Sequence, residues 1–299
     1  MDSKLPWNSF SKLQTSSELS CYLTREYEHS KYIHYTKLEV IDSILKNCEF
    51  WVSDVRELND RKDREQFDGT AYFTLCFSTG VNENLPLWYL YSGIDGKGGS
   101  IIFTKAKIKK LIQEGKYELW EFENNNKLRK VCDIKNGENA EISFVDVLYA
   151  NKDIETKQRK PQNVALKYNT MTNYNITYEE FEVFKKNHCG NIKGLIWYYE
   201  KETRLIVRLD DELSAKINYK ENPRKYKIVL NFSHLTWKEF KISLAPGVID
   251  YSEVEDCEML KKYRNESSGV SLSLYKGDVD FKLQDKLCGS CKKRKDDNK

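Results

Sequence analysis

The sequence predicts an α+β fold, because strand-like and helix-like segments alternate without a regular βα repeat. Strands are expected where aromatic and β-branched residues cluster, and helices where apolar residues recur at intervals of three and four. No internal repeat and no linker rich in Pro and Gly divides the 299 residues. We therefore expect one domain at residues 22–284, preceded by a polar N-terminal arm at residues 1–21 and followed by a basic tail at residues 285–299.

The composition is typical of a soluble globular protein, with 39% hydrophobic and 32% charged residues. No segment approaches the roughly 20 consecutive apolar residues of a membrane-spanning helix. The first residues also lack the layout of a secretory signal, so we expect a cytoplasmic protein without a membrane partner. The net charge of +3 neither requires nor excludes a nucleic-acid partner.

Strands alternate with helices in the N-terminal part of the chain. Strands are predicted at residues 31–35, 49–53, 72–78 and 100–103. Helices are predicted around residues 38–45, 87–91 and 108–112. Thr36 and Glu39 have the spacing of a capping box before the first helix. The four glycines within residues 93–99 predict a flexible turn, since they lack the strand-then-helix setting of a nucleotide-binding loop.

The C-terminal part is predicted to be richer in strands, at residues 142–149, 195–207, 226–230, 240–244 and 270–274, with a short addition at 279–281. Thr177 and Glu180 have the pattern of a second capping box, opening a helix that stops at Gly190. A last helix is predicted at residues 251–263. The polar segment 124–139 is interpreted as an excursion between strands, and 151–175 as an insertion or a helix of unclear phase.

Residues 195–207 enclose two carboxylates and one guanidinium within an apolar and aromatic stretch. In a strand, Glu200, Glu202 and Arg204 leave by one face, because side chains alternate. An Arg on that face allows two carboxylates to stay ionised close together, as in a catalytic cluster. A solvated edge ladder of salt-bridged side chains is the structural alternative.

Other polar and aromatic residues have structural explanations that compete with function. Only Cys288 and Cys291, among eight scattered cysteines, have the spacing of metal ligands, and the second pair that a zinc site needs is missing from the sequence nearby. We therefore expect no bound metal, and these two cysteines are either a metal or redox site or a feature of the tail. From its surroundings alone His34 is interpreted as a core or turn histidine. Trp51 and Trp88 are interpreted as packing residues.

Several short motifs follow one another along most of the chain. They are His34-Tyr35-Thr36, Trp51-Val52-Ser53-Asp54, Leu58-Asn59-Asp60, Leu75-Cys76-Phe77-Ser78, Trp88-Tyr89-Leu90-Tyr91, Gly98 with Ile102-Phe103, and residues 199–206. This ordered set, within residues 31–275, resembles the DUF2971 family. That family looks related to the ADP-ribosyltransferase superfamily, which implies a split, mainly antiparallel sheet flanked by helices and NAD as the substrate.

The resemblance implies catalytic roles for the charged residues of the later motif. Glu202 matches the catalytic glutamate, whose carboxylate stabilises the oxocarbenium-like ribose that forms when nicotinamide leaves. Glu200 would activate or orient the acceptor. Arg204 would hold both acids in place or reach a phosphate of NAD.

The resemblance also implies NAD-binding residues in the earlier motifs. His34 would bind a ribose hydroxyl, and Tyr91 would stack on the nicotinamide ring, with Tyr89 and Trp88 as alternatives for that aromatic face. Further NAD contacts are implied for Tyr35, Thr36, Ser53, Asn59, Ser78 and Trp88.

These roles imply an NAD-dependent ADP-ribosyltransferase that modifies a macromolecular acceptor, either nucleic acid or protein. The family setting further implies a toxin or phage-defence effector with an antitoxin or immunity partner. Two alternatives stay open: an NAD glycohydrolase that uses water as acceptor, and a non-catalytic module that binds a nucleotide, nucleic acid or protein on the same fold.

Overall fold

A computed structural model of the chain describes residues 29–58, 71–80, 83–92, 96–123, 127–150, 163–167, 173–187, 190–221, 225–234, 240–266 and 269–276. The strands are β1 (Lys31–Lys37), β2 (Glu49–Asp54), β3 (Tyr72–Ser78), β4 (Gly98–Thr104), β5 (Lys116–Phe122), β6 (Leu128–Ile134), β7 (Ala140–Asp146), β8 (Leu148–Ala150), β9 (Asn163–Lys167), β10 (Asn173–Thr177), β11 (Ile192–Gly194), β12 (Glu202–Leu209), β13 (Tyr226–Asn231), β14 (Lys241–Leu244) and β15 (Val270–Leu272). The α-helices are α1 (Leu38–Asn47), α2 (Leu85–Tyr91), α3 (Lys105–Glu114), α4 (Tyr178–Asn187), α5 (Asp211–Lys216) and α6 (Glu258–Glu266).

Strands and helices are thus mixed, and most strand pairs are antiparallel. This confirms the predicted α+β class. The predicted arm at residues 1–21, the tail at 285–299 and the short strand at 279–281 lie outside the described residues.

The chain divides into two compact units, each built from separated segments. The described part of the first unit lies within Trp51–Cys76 and Gly115–Asn231. The described part of the second unit lies within His29–Phe50, Phe77–Glu114 and Phe232–Lys299.

In the first unit, strands β2, β13, β5 and β6 are neighbours in that order, and β12 pairs with both β3 and β7. The β7–β12 ladder is antiparallel and sets Thr203 opposite Asp146. Val55, Tyr72 and Ile206 belong to one buried apolar cluster of this unit. A smaller sheet has the order β10-β9-β8-β11, with β8 and β11 parallel.

In the second unit, strands β15, β14, β4 and β1 form the sheet. Its core is aromatic: the ring centroids of Phe103 and Phe240 lie 4.9 Å apart. Asp42 of α1 accepts hydrogen bonds from the backbone N–H groups of Met259 and Leu260, at 2.8 and 3.0 Å. The free N–H groups at the start of α6 are thereby satisfied, which fixes α6 against α1.

Gly98 and Gly99 lie in β4, so the prediction of a turn through residue 99 is wrong at its end. A Cβ atom on Gly98 would lie 2.5 Å from the Cα of Ser92, and one on Gly99 would lie 2.5 Å from Cδ1 of Ile41. These glycines therefore permit close packing of β4 against its neighbours.

The two capping boxes have opposite outcomes. Thr177 and Glu180 exchange the expected bonds: Glu180 N donates to Thr177 Oγ1 at 3.2 Å, and Thr177 N donates to Glu180 Oε2 at 2.9 Å. The box predicted at Thr36 is wrong, because β1 continues to Lys37 and pairs Thr36 with Gly99. Strand pairing outweighs the local capping pattern there.

The sequence pattern misses β5, β6, β9, β10, β11 and the helix α5, and the interpretation of 124–139 as an excursion is wrong where β6 forms. In β5 the buried Tyr117 and Leu119 alternate with the partly exposed Glu118 and Trp120, and the charged residues of this segment make the two-residue apolar period hard to detect. Strand β6 lies at a sheet edge and has mostly exposed side chains, which leaves no apolar alternation to detect. The predicted strand 142–149 and helix 251–263 are each interrupted: β7 ends before Val147, and a 3-10 helix, Tyr251–Val254, precedes α6.

Candidate functional site

The segment that carries the candidate carboxylates is a 3-10 helix followed by a strand. Leu195–Glu200 forms the 3-10 helix, Lys201 adopts a left-handed conformation with φ 45°, and β12 begins at Glu202. The strand prediction is therefore wrong for residues 195–201 and confirmed for 202–207. The left-handed backbone of Lys201 interrupts the extended conformation, so the strand does not continue from β12 back into residues 195–200.

Both carboxylates nevertheless contact the same lysine, which lies in β11, the strand just before the 3-10 helix. Lys193 Nζ donates to Glu200 Oε2 and lies 3.2 Å from Glu202 Oε2. Glu200 and Glu202 are only 4% and 6% exposed. The left-handed residue Lys201 between them turns the chain so that both side chains reach the same ammonium group.

Arg204 completes the charged cluster from the same face of β12 as Glu202. Its Nε donates to Glu202 Oε1 at 2.9 Å, and its Nη2 donates to Glu202 Oε2 at 3.0 Å. Its Nη1 donates to the carbonyl of Gly190 at 2.7 Å. The predicted convergence of Glu200, Glu202 and Arg204 is thus present, with Lys193 as an additional member.

Neutral polar groups hold Glu202 in place from two further strands. The backbone N–H of Glu202 donates to the hydroxyl of Tyr149 at 2.8 Å. The thiol of Cys76 is hydrogen-bonded to the Glu202 carboxylate. Burial, reinforced by the Glu202 charge, raises the pKa of both Cys76 and Tyr149 well above their ordinary values, so both remain neutral.

The two carboxyl groups have pKa values displaced in opposite directions. Burial, together with the negative charge of Glu202, raises the pKa of Glu200 to about 7. Burial also opposes ionisation of Glu202, but Arg204 and Lys193 outweigh it and hold the pKa of Glu202 well below its ordinary range. Burial likewise opposes the charge of Lys193, whose pKa is nevertheless raised by the carboxylates. Near neutral pH the cluster therefore holds one fixed carboxylate and one carboxyl that can exchange a proton.

His34 and Tyr35 lie on β1 in the second unit, on opposite faces of the strand. The His34 ring packs against Phe50 and Phe77, with centroids 5.6 and 5.9 Å away. The Tyr35 ring meets Trp88 edge to face at 4.7 Å. The structure thus brings Tyr35 together with Trp88, whereas His34 faces the aromatic core on the other side.

The candidate aromatic residues of α2 differ in exposure. Trp88 is fully buried, and its Nε1 donates to Glu83 Oε2 at 3.1 Å, which confirms the packing interpretation. Its ring is therefore closed to a stacking ligand in this arrangement. Tyr89 and Tyr91 are partly exposed and keep an accessible aromatic face.

The remaining predicted NAD contacts are spread over both units. Ser78 is buried at the end of β3, and its hydroxyl has no hydrogen-bond partner in the described part of the chain. Thr36 in β1 and Ser53 in β2 are half-buried. Asn59 lies outside the described residues.

A second polar cluster of the first unit surrounds Asp54. The carboxylate of Asp54, which is 1% exposed, accepts from Arg56 Nε at 2.9 Å and from the hydroxyl of Tyr219 at 2.8 Å. The Arg56 guanidinium also lies 4.0 Å from the centroid of the Tyr219 ring. The backbone N–H of Arg56 also donates to the Asp54 carboxylate at 2.9 Å, so Asp54 caps the short 3-10 helix Val55–Glu57.

Sequence reasoning misses Lys193 and Tyr149. The one available signal for Lys193 is its position between Ile192 and Gly194, because a lysine flanked by such residues in a buried strand requires an acidic partner. Tyr149 carries no such signal, since a tyrosine in a strand is ordinary.

Among the described residues, no group of three or more His, Cys, Asp or Glu side chains is arranged to hold a metal ion. None of the helices in the described ranges is long and apolar enough to cross a membrane. No family model, curated protein or solved structure matched this chain in the comparisons.

Proposed function

We propose that the protein is an NAD-dependent ADP-ribosyltransferase whose reaction depends on Glu200 and Glu202. One observation supports this most strongly: two buried carboxyl groups share Lys193, and their pKa values are displaced in opposite directions. Pairs of carboxyl groups separated in this way are suited to divide acid–base and electrostatic roles at neutral pH.

In the proposed reaction the bond between ribose C1′ and the nicotinamide nitrogen breaks, and its electron pair leaves with nicotinamide. Positive charge then develops on the ribose, and the permanently ionised Glu202 offsets it. Glu200, with a pKa of about 7, accepts the proton of the attacking acceptor group as the new bond to C1′ forms. Arg204 and Lys193 fix both acids in position.

Access to the pair requires a local movement, because both carboxyl groups are less than one-tenth exposed. The segment that must move is the 3-10 helix Leu195–Glu200, which carries the highly exposed Ile196 and the half-buried Trp197. The roles of His34 and Tyr91 in NAD binding stay predictions of the family resemblance.

A non-catalytic binding module is the second candidate, and the same cluster supplies its support. Glu202 is contacted by both Lys193 and Arg204. A buried network whose charged groups all have partners is also typical of a purely structural role. In that case the cluster stabilises the fold and performs no chemistry.

The test is to incubate the purified full chain with labelled NAD and RNA, DNA or cell lysate, while nicotinamide release and label transfer are both measured. Glu202→Gln and Glu200→Gln should each lower turnover at least about a hundredfold if the residues act in charge stabilisation and proton transfer. Glu182→Gln, which changes a partly exposed glutamate of α4, should leave turnover unchanged.

Release of nicotinamide without label transfer would indicate the glycohydrolase. Absence of both, with Glu202→Gln folded and indistinguishable from the parent, would favour the binding module instead. Expression in bacterial cells would test the proposed toxin or phage-defence role, since an active effector lacking its immunity partner should arrest growth and the Glu202→Gln variant should not.

A further inference from the structure

The 3-10 helix Leu195–Glu200, here called the cover segment, is closed at its base by a contact between its two ends. Lys193 lies just before the segment, and its Nζ donates to Oε2 of Glu200, the last residue of the segment. The Trp197 ring centroid lies 4.9 Å from the same ammonium group, which in turn lies 3.2 Å from Glu202 Oε2. The cover segment therefore lies against the buried charged cluster, and the contact between Lys193 and Glu200 holds its base.

The outer side of the cover segment faces solvent. Ile196 is 70% exposed, and Trp197, Tyr198 and Tyr199 are partly exposed. On the inner side, the Tyr198 ring meets the Tyr149 ring edge to face, with centroids 5.4 Å apart. The β7–β12 ladder begins only at Thr203, after the segment has ended. The cover segment can therefore move without breaking this ladder.

Lys201 joins the cover segment to β12 in a left-handed conformation, with φ 45°. This conformation is unfavourable for a lysine, because its Cβ atom approaches the following carbonyl oxygen. Such strain persists only where the surrounding structure imposes it. Here the contact between Lys193 and Glu200 lies on one side of Lys201, and the pairing of Thr203 with Asp146 lies on the other. Loss of the Glu200 contact therefore allows Lys201 to relax, and this relaxation moves the cover segment away from the cluster.

Ionisable groups from several elements face Glu200. They are Lys193 of β11, Glu202 and Arg204 of β12, Tyr149 of β8 and Tyr199 of the cover segment, while Cys76 of β3 joins the cluster through its bond to Glu202. Burial raises the pKa of Glu200 to about 7, the charge of Glu202 adds to this effect, and Lys193 and Arg204 oppose it. A Glu200 side chain exposed to water would regain the ordinary pKa of 4.5. Protonation of Glu200 therefore favours the closed cover segment, and ionisation favours the open one.

We propose that the cover segment opens about Lys201 as a hinge when Glu200 ionises, and that this opening admits substrate to Glu202. The segment is thus a pH-sensitive gate that is closed in acid and opens as the pH rises through neutrality. The admission of substrate rests on the proposed transferase function, whereas the opening itself is measured without NAD.

Hydrogen exchange of the backbone amides, followed by mass spectrometry, measures the opening. In the closed form the N–H of Lys201 donates to the carbonyl of Tyr198 at 3.3 Å, and opening breaks this bond together with those of the 3-10 helix. The protection of residues 195–201, corrected for the intrinsic exchange rate at each pH, should fall about a hundredfold between about pH 4.5 and about pH 8.5. Residues 203–209 of β12 should stay protected, because the opening is local.

Two pairs of variants separate the trigger from the hinge. Glu200→Gln removes the ionisable group, so the protection of residues 195–201 should no longer change with pH. Glu182→Gln, at a partly exposed glutamate of α4, should keep the pH dependence of the parent. Lys201→Asn and Lys201→Ala both remove the lysine side chain, but only asparagine readily adopts the left-handed conformation. The protection in Lys201→Asn should therefore be about fivefold higher than in Lys201→Ala.

The gate is overturned if the protection of residues 195–201 stays constant with pH in the parent, if it falls equally in Glu200→Gln, or if residues 203–209 lose protection together with it. Equal protection in the two Lys201 variants overturns the hinge. A protein whose cover segment opens as expected but that neither transfers label nor releases nicotinamide contradicts the proposed function alone. An active protein whose protection does not change with pH contradicts the gate alone.

Discussion

Arg204 donates hydrogen bonds to both carboxylate oxygens of Glu202: its Nε lies 2.9 Å from Oε1, and its Nη2 lies 3.0 Å from Oε2. The two residues are separated by one position in β12, and strand alternation therefore places them on the same face. Because Arg204 fixes the charge on Glu202, the neighbouring carboxyl of Glu200 ionises against a permanent negative charge. Burial is the first cause of the raised Glu200 pKa, and the negative charge of Glu202 adds to it, whereas the positive charges of Lys193 and Arg204 oppose it.

Glu202→Gln should destabilise the protein strongly. The substitution leaves Arg204 and Lys193 buried without the carboxylate that both contact, and breaking a buried ion pair in this way costs about 3–5 kcal/mol. The free energy of unfolding, measured by urea denaturation at pH 7, checks this value. Glu182→Gln is the matched control, since its pair with Lys185 is partly exposed and should cost at most about 1 kcal/mol. Equal losses for the two variants would contradict a cooperative buried cluster.

Glu200 should make stability depend on pH between about 4.5 and 7. The pKa of Glu200 is raised in the folded state to about 7 from the ordinary value of 4.5, so its contribution to stability is complete below pH 4.5 and is lost as the pH rises towards 7. Glu200→Gln removes this dependence. The stability of the variant relative to the parent should therefore increase by about 3 kcal/mol between pH 4 and pH 8.

Urea denaturation of parent and Glu200→Gln at several pH values measures that difference, and it cancels the titration of all other groups. A difference that stays constant with pH would show that Glu200 titrates normally. If the transferase is active, its rate should also rise with pH through about 7, since Glu200 must be ionised to accept a proton.

The sequence predicts the elements that are rich in aromatic and apolar residues, such as β3, or whose apolar residues have helical spacing, such as α2. It fails where tertiary contacts decide the backbone. Thr36 remains in β1 because Gly99 pairs with it, although the local pattern favours a helix cap. Gly98 lies in β4 because Ser92 packs against it, and this contact leaves no trace in the local sequence.

The candidate site shows the same limit. Alternation alone places Glu202 and Arg204 together, because both lie in β12. Glu200 reaches them by another route, through the left-handed turn at Lys201 and the shared ammonium group of Lys193. Lys193 lies in β11, a short strand that the sequence pattern does not predict, so periodicity cannot reveal this meeting.

Gly98→Ala should destabilise the second unit through overpacking. The new methyl group would lie 2.5 Å from the Cα of Ser92, and backbone must shift to admit it, at a cost of about 1–3 kcal/mol. Gly194→Ala is the matched control in the first unit: its Cβ meets only side-chain atoms at 3.8 Å or more, and its φ of −63° suits any residue. Alanine there should be neutral or slightly stabilising. Thermal unfolding of both variants measures the contrast, and a Gly98→Ala variant as stable as the parent would refute the close packing.

Tyr219→Phe should destabilise the protein more than the same change at a tyrosine whose hydroxyl donates to an uncharged group. The Tyr219 hydroxyl donates at 2.8 Å to the buried carboxylate of Asp54, and hydrogen bonds to charged groups contribute about 1.5–3 kcal/mol. Tyr251 provides the comparison, since its hydroxyl donates at 3.4 Å to the backbone carbonyl of Val270 and Tyr251→Phe should cost less than about 1 kcal/mol.

Combining Tyr219→Phe with Asp54→Asn tests the origin of the loss. If the loss comes from the charge of Asp54, the double variant should lose about 1–2 kcal/mol less stability than the two single variants lose together. Strict additivity would instead mean that the loss does not come from the hydrogen bond between the Tyr219 hydroxyl and Asp54.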